Sequence, residues 1–268
     1  MRRHPLIAFF VLAYALTWWT YPLLKVSPLL GIPGLFGPAL AAMIMASVTD
    51  GRAGLRALLS RTVRWRVGLP WYAVALGLPT VLSLVTAGLH YVLDAATFVQ
   101  LGRLSVFDFV IFVLVVGEEL GWRGYALPQL LERWSALTSS LILGVLWGMW
   151  HLPTFLIPGT PQYGLPLPAF VLLTVEYSVL LTWLYLHTVL LATLCHGAIN
   201  LSQGLFLGDV EGARRYWLMT VTYGAAALVL AFLLRRGSSG GRAAHSNAKQ
   251  TAEHRINPIA SDGTSARS

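Results

Sequence analysis

The sequence predicts an all-α membrane protein, a polytopic helix bundle with about eight transmembrane helices and six to eight crossings compatible with the pattern. Three observations carry this. Of 268 residues, 56% are apolar and only 11% charged, against roughly a quarter charged in soluble domains. Apolar runs near the ~20 residues that cross a ~30 Å hydrocarbon core recur along most of the chain. The single cysteine, Cys195, lies inside such a run, so neither a disulfide framework nor a Cys-based zinc site is available.

Eight helices follow in order. Pro5–Leu24 comes after Arg2, Arg3 and His4 as in a signal peptide, but it lacks a small-residue cleavage site and more spans follow, so it reads as a retained anchor. Ile32–Val48 is short and carries Pro33, Gly34, Gly37 and Pro38, which fits a kinked or partly re-entrant segment. Leu69–Leu93, Val106–Leu131, Leu137–Ile157, Leu165–Leu186, Val189–Leu207 and Trp217–Leu234 complete the set. Residues 1–236 form one bundle, with a motif-bearing core at about 105–205. After Arg236 the chain turns Gly-, Ser-, Ala- and Arg-rich without apolar periodicity, so 237–268 reads as a disordered cytoplasmic tail.

The formal charge of +8 is mostly arginine. Arg52, Arg56, Arg61, Arg64 and Arg66 crowd one connector, and positive loops stay cytoplasmic. Eight crossings then put both termini, this connector and the Glu132–Arg133 turn on the cytoplasmic side of the cell membrane. The opposite loops carry Lys25, Arg103, Arg214 and Arg215, partly balanced by Asp209 and Glu211. The connector is either a topology signal alone or a basic amphipathic helix on anionic headgroups. No aromatic-interleaved basic patch points to nucleic acid.

Ionisable groups inside spans are costly and tend to be functional. Here they are Glu118, Glu119 and Arg123 in the fourth helix, His151 in the fifth, Glu176 in the sixth, and His196 with Asn200 in the seventh. Residues at i and i+4 share a helix face, whereas neighbours diverge by ~100°. Glu119 and Arg123 therefore form an internal ion pair in the favoured order, and Glu118 points elsewhere, without an evident cation, as a candidate general base. His196 with Asn200, and Trp147 with His151, repeat the spacing. Counting at 1.5 Å per residue, Glu118, His151 and His196 fall at ~12, ~21 and ~11 Å from the inner face of a ~30 Å core. That leaves His151 about two turns too far out. Glu176 has no motif partner, and His90 and His187 sit at helix ends, so all three stay outside the site.

These residues resemble the CAAX-processing and bacteriocin-processing (CPBP) family of intramembrane endopeptidases, in its CAAX prenyl protease-like and abortive-infection-like forms. EExxxR is present as Glu118-Glu119-Leu120-Gly121-Trp122-Arg123, FxxxH as Trp147-Gly148-Met149-Trp150-His151 with Trp for Phe, and HxxxN as His196-Gly197-Ala198-Ile199-Asn200. The resemblance covers roughly residues 50–205. It implies a metal-independent, glutamic-type intramembrane endopeptidase without cofactor. Glu118 and His151 would activate water, His196 and Asn200 would stabilise the oxyanion, and Glu119, Arg123 and Trp147 would support the site. The partners would be a membrane-associated protein or peptide substrate and the lipid bilayer, with the site between the fourth, fifth and seventh helices, open to the cytoplasm or to the bilayer. Three other readings stay open: a zinc protease using Glu118, His151 and His196 as ligands, a transporter with a proton path, and a non-catalytic scaffold or immunity protein.

Overall fold

Apolar composition and helix-breaking residues together dictate the architecture. The computed structural model describes residues 3–93, 101–103, 106–208, 210 and 212–256, without side chains at 28, 107, 108 and 236–256. The principal helices among the described residues are α1 (Pro5–Trp18), α2 (Gly37–Thr62), α3 (Leu69–Leu93), α4 (Val106–Gly121), α5 (Ala136–Trp150), α6 (Leu167–Tyr185), α7 (Val189–Phe206) and α8 (Gly212–Ile256). No strand occurs among these residues. Helical stretches over Pro5–Lys25, Leu29–Thr62, Leu69–Leu93, Leu167–Tyr185, Val189–Phe206 and Gly212–Arg235 are long and apolar enough to cross a membrane. The chain is thus a multi-pass helical membrane protein. Asp209, Glu211 and residues 257–268 of the expected tail lie outside the described residues.

The exterior is greasy and part of the interior polar, as lipid demands. Val113, Leu228 and Val229 are 64%, 75% and 63% exposed, whereas Glu119, Arg123, Ser139, Ser140 and Thr182 are fully buried. A hydrocarbon solvent removes the penalty on the first set and forces the second inward.

Several boundaries differ from the sequence reading, and the last helix continues past Leu234 to Ile256, through the first part of the segment read as a disordered tail. The second helix does not stop at Val48 but runs to Thr62, so part of the arginine-rich connector is helical. It bends at Gly51, whose φ of 62° lies in the left-handed region that glycine adopts without steric cost. The fourth helix does reach Leu131, but through a π-helical turn at Trp122–Ala126. The fifth ends at Trp150 rather than Ile157, followed by a 3₁₀ turn at Leu152–Phe155. Pro153 has no N–H for the next helical bond and disfavours a helical residue before it, which stops α5 there.

Backbones approach closely at small residues. A Cβ on Gly144 would lie 2.5 Å from the Val175 Cα, and one on Gly148 2.5 Å from the Thr174 hydroxyl. This Gly144–Gly148 spacing is the small-xxx-small device of membrane helices, and it brings α5 onto α6. From the other side Tyr14 donates to the Leu146 carbonyl at 2.5 Å, and the Trp18 indole to the Trp150 carbonyl at 2.9 Å. The end of α5 is therefore fixed from two directions.

Candidate active site

Glu119 is the hub of the buried polar cluster. Its Oε1 accepts from Arg123 Nη1 at 2.8 Å and from His196 Nδ1 at 2.8 Å. Glu119 and Arg123 have no exposed side-chain surface, and the guanidinium lies 4.8 Å from the Trp147 ring centroid. The cation thus has a carboxylate on one side and an aromatic face on the other, two compensations for burying it. Because His196 spends Nδ1–H on Glu119, its Nε2 is the ring nitrogen left for other chemistry. The Trp147 ring packs edge-on against His196 with centroids 5.0 Å apart.

Glu118 diverges from Glu119, as neighbours on a helix do. Its Oε2 accepts from Trp147 Nε1 at 3.0 Å. His151, at the C-cap of α5, places Nδ1 3.0 Å from the Trp147 carbonyl. A carbonyl only accepts, so Nδ1 carries the proton and Nε2 presents a lone pair. Trp150 and Phe170 flank the imidazole, with centroids 4.6 and 5.0 Å away. One residue, Trp147, therefore orients both Glu118, through its indole, and His151, through its backbone.

Glu118 and His151 line a single cavity of about 490 Å³, together with Tyr21, Leu114, Trp150 and Gln162. Its wall is largely apolar, with Glu118 and His151 among its few polar groups.

The two-turn mismatch in depth disappears in the folded chain. Counting from the turn that joins α4 to α5, Glu118 is 131 − 118 = 13 residues from Leu131, and His151 is 151 − 136 = 15 residues from Ala136. These are ~20 and ~22 Å at 1.5 Å per residue. A fourth helix running from Val106 to Leu131 is ~39 Å long at 1.5 Å per residue, longer than a ~30 Å core, so depth measured from its outer end sets Glu118 too near the inner face. The cavity extends to one end of the bundle. Its lining residues from the chain between α1 and α2 and from the segment after α5 lie at the bundle end opposite Arg52–Arg66.

Asn200 stands one turn beyond His196 on α7 and is half-buried. No hydrogen bond joins it to the other candidate residues among those described. Glu176 is buried on α6 beside Gly224 of α8, away from the lining of this cavity. Sequence reasoning missed the donor role of Trp147; an indole where the motif has a phenyl ring was the available signal, since only the indole carries an N–H. Trp147→Phe removes that donor while keeping an aromatic ring. A lost hydrogen bond to a charged group of this kind corresponds to about a tenfold fall in kcat. Steady-state kinetics in lipid check it, with KM expected to hold.

The family model of type II CAAX prenyl endopeptidase Rce1-like proteins matches residues 100–202. All three motifs fall within that segment. "CAAX prenyl protease 2" of Methanococcus maripaludis is 33% identical over 108 residues, covering 36% of this chain and 40% of that protein. The match thus spans two-fifths of the curated relative's length.

Proposed function

We propose that this chain, which through its segment 100–202 belongs to the Rce1-like CAAX endopeptidase family, is an intramembrane glutamic-type endopeptidase acting on a membrane-associated protein or peptide. The observation that carries the proposal is the shared cavity of Glu118 and His151, with both groups oriented by Trp147. Glu118 takes a proton from a water as the water oxygen attacks the scissile carbonyl. His151, which lines the same cavity, assists that transfer through Nε2. Asn200 supplies an amide donor to the developing oxyanion, and His196, whose Nδ1–H is held by Glu119, donates through Nε2 when both ring nitrogens carry protons; a donor set held in advance is what that charge requires. The proton held by Glu118 then passes to the leaving amine, so the peptide bond and water become a carboxylate and an amine with no covalent enzyme intermediate.

Direct attack by water gives a distinct outcome with hydroxylamine. Cleavage in its presence yields the free acid and no hydroxamate, as read by mass spectrometry; a hydroxamate product would reveal an acyl-enzyme and contradict the proposal. The arginine-rich end, where α1 begins and the apolar part of α8 finishes, is the cytoplasmic end in the cell membrane by the positive-inside rule. The cavity then opens towards the opposite leaflet. An impermeant thiol reagent that reaches Ser60→Cys only from the cytoplasmic side is the expected reading of that orientation.

A further inference from the structure

Beyond the Gly51 bend, the second part of α2 presents two different faces. Gly54, Ala57, Leu58 and Arg61 line a cavity against Tyr125, Pro128 and Gln129 at the end of the fourth helix. Arg52, Leu55, Arg56, Leu59, Ser60 and Val63, spaced at i, i+3, i+4, i+7, i+8 and i+11, line an open groove on the other side. On and beyond this face Leu59, Val63 and Trp65 are 44%, 69% and 63% exposed. Arg66 lies 5.5 Å over the Trp65 ring. Apolar side chains flanked by arginines, with a tryptophan at the boundary, form the surface that an interface between headgroups and acyl chains takes up.

The inner face is tied to the active site twice. Arg61 Nη1 donates to the Gly124 carbonyl at 3.2 Å, inside the π turn that carries Arg123. The Arg64 carbonyl accepts from Thr188 Oγ1 at 2.9 Å, and that same oxygen caps α7 by accepting from the Leu190 N–H at 2.9 Å. Helix α7 carries His196 and Asn200. The two groups held by Glu119, Arg123 and His196, thus each sit on an element fastened to the basic segment.

We infer that residues 52–66 are a docking surface for anionic phospholipid headgroups, and that their seating on an anionic bilayer positions the Arg123–Glu119–His196 cluster. Arg52 and Arg56 on the outward groove, with Arg66 beyond it, supply the charge complementarity, and the exposed Leu59, Val63 and Trp65 supply the insertion. Asp50 and Glu132 line the inward cavity and leave the outward face cationic.

The test uses the full chain with a nitroxide on Ser60→Cys, the native Cys195 being buried, in nanodiscs of phosphatidylcholine with or without about 30% phosphatidylglycerol. The expected result is that the anionic lipid moves the label from nickel-accessible to oxygen-accessible surroundings. Adding Arg52→Gln and Arg56→Gln weakens that response by about fivefold for each arginine. Equal accessibility in both lipids, or an undiminished response in the double variant, overturns the docking. A second arm rests on the endopeptidase reading: cleavage is faster in the anionic discs, and Thr188→Val, but not Thr188→Ser, docks normally while losing the rate response. A retained response in Thr188→Val overturns the coupling. Because the nitroxide arm needs no turnover, failure of the docking and failure of the endopeptidase reading are distinguishable.

Discussion

Glu118→Gln lowers the cleavage rate by about 10³–10⁴-fold, the scale of a lost general base, while substrate binding stays within about threefold, since ground-state contacts are not what the change removes. Glutamine keeps the size of glutamate and keeps an oxygen that accepts from Trp147 Nε1, so the hydrogen bond seen at 3.0 Å survives. What disappears is the ability to take a proton from water. In barrier terms the loss is about 4–5.5 kcal/mol. Single-turnover rates in lipid, set beside binding of an uncleaved peptide, separate the two effects. A residual rate within about tenfold of wild type removes Glu118 as the base.

Arg123→Ala acts on folding before it acts on chemistry. The substitution leaves the Glu119 carboxylate buried with His196 as its remaining partner, and it takes the guanidinium from the Trp147 face. Breaking a buried pair from one side costs about 3–5 kcal/mol, because the surviving charge is stranded. In a chain of this size that lowers the melting temperature by roughly 10 °C. Combining it with Glu119→Gln removes both charges and restores much of the stability. Activity does not return with it, because a neutral amide no longer anchors His196 as a carboxylate does. Thermal unfolding in detergent and cleavage in lipid are the two readouts; an Arg123→Ala variant as stable as wild type contradicts the buried pair.

The i,i+4 spacing of Glu119 with Arg123 was readable as an internal pair, because helical geometry alone places such residues together. The same argument separated Glu118 from Glu119. The additional bond from His196 to Glu119 was not readable, because it joins residues 77 apart through packing of α4 on α7. The π turn at Trp122–Ala126 has no hydropathy signal: inserting one residue into a helical turn leaves the composition unchanged. Pro153 did signal the end of α5, but an unbroken apolar run hid it, and His151 consequently read as mid-helix rather than as a cap. The lining of the cavity comes partly from the chain between α1 and α2 and from the segment after α5, where side-chain direction has no periodicity to follow. Helix identity, set by apolar length, was the most legible feature: Leu69–Leu93 has the boundaries expected of it.

In the mechanism proposed above a carboxylate and an imidazole, without a metal, hydrolyse a peptide bond inside the membrane. The most direct test of that mechanism is cleavage of a library of membrane-anchored peptides by the purified chain in lipid, run beside Glu118→Gln and with a strong chelator. Cleavage that survives the chelator and vanishes in the variant is the predicted result, and the cut peptides define the substrate. Cleavage lost with the chelator, or absent under every condition, contradicts the account.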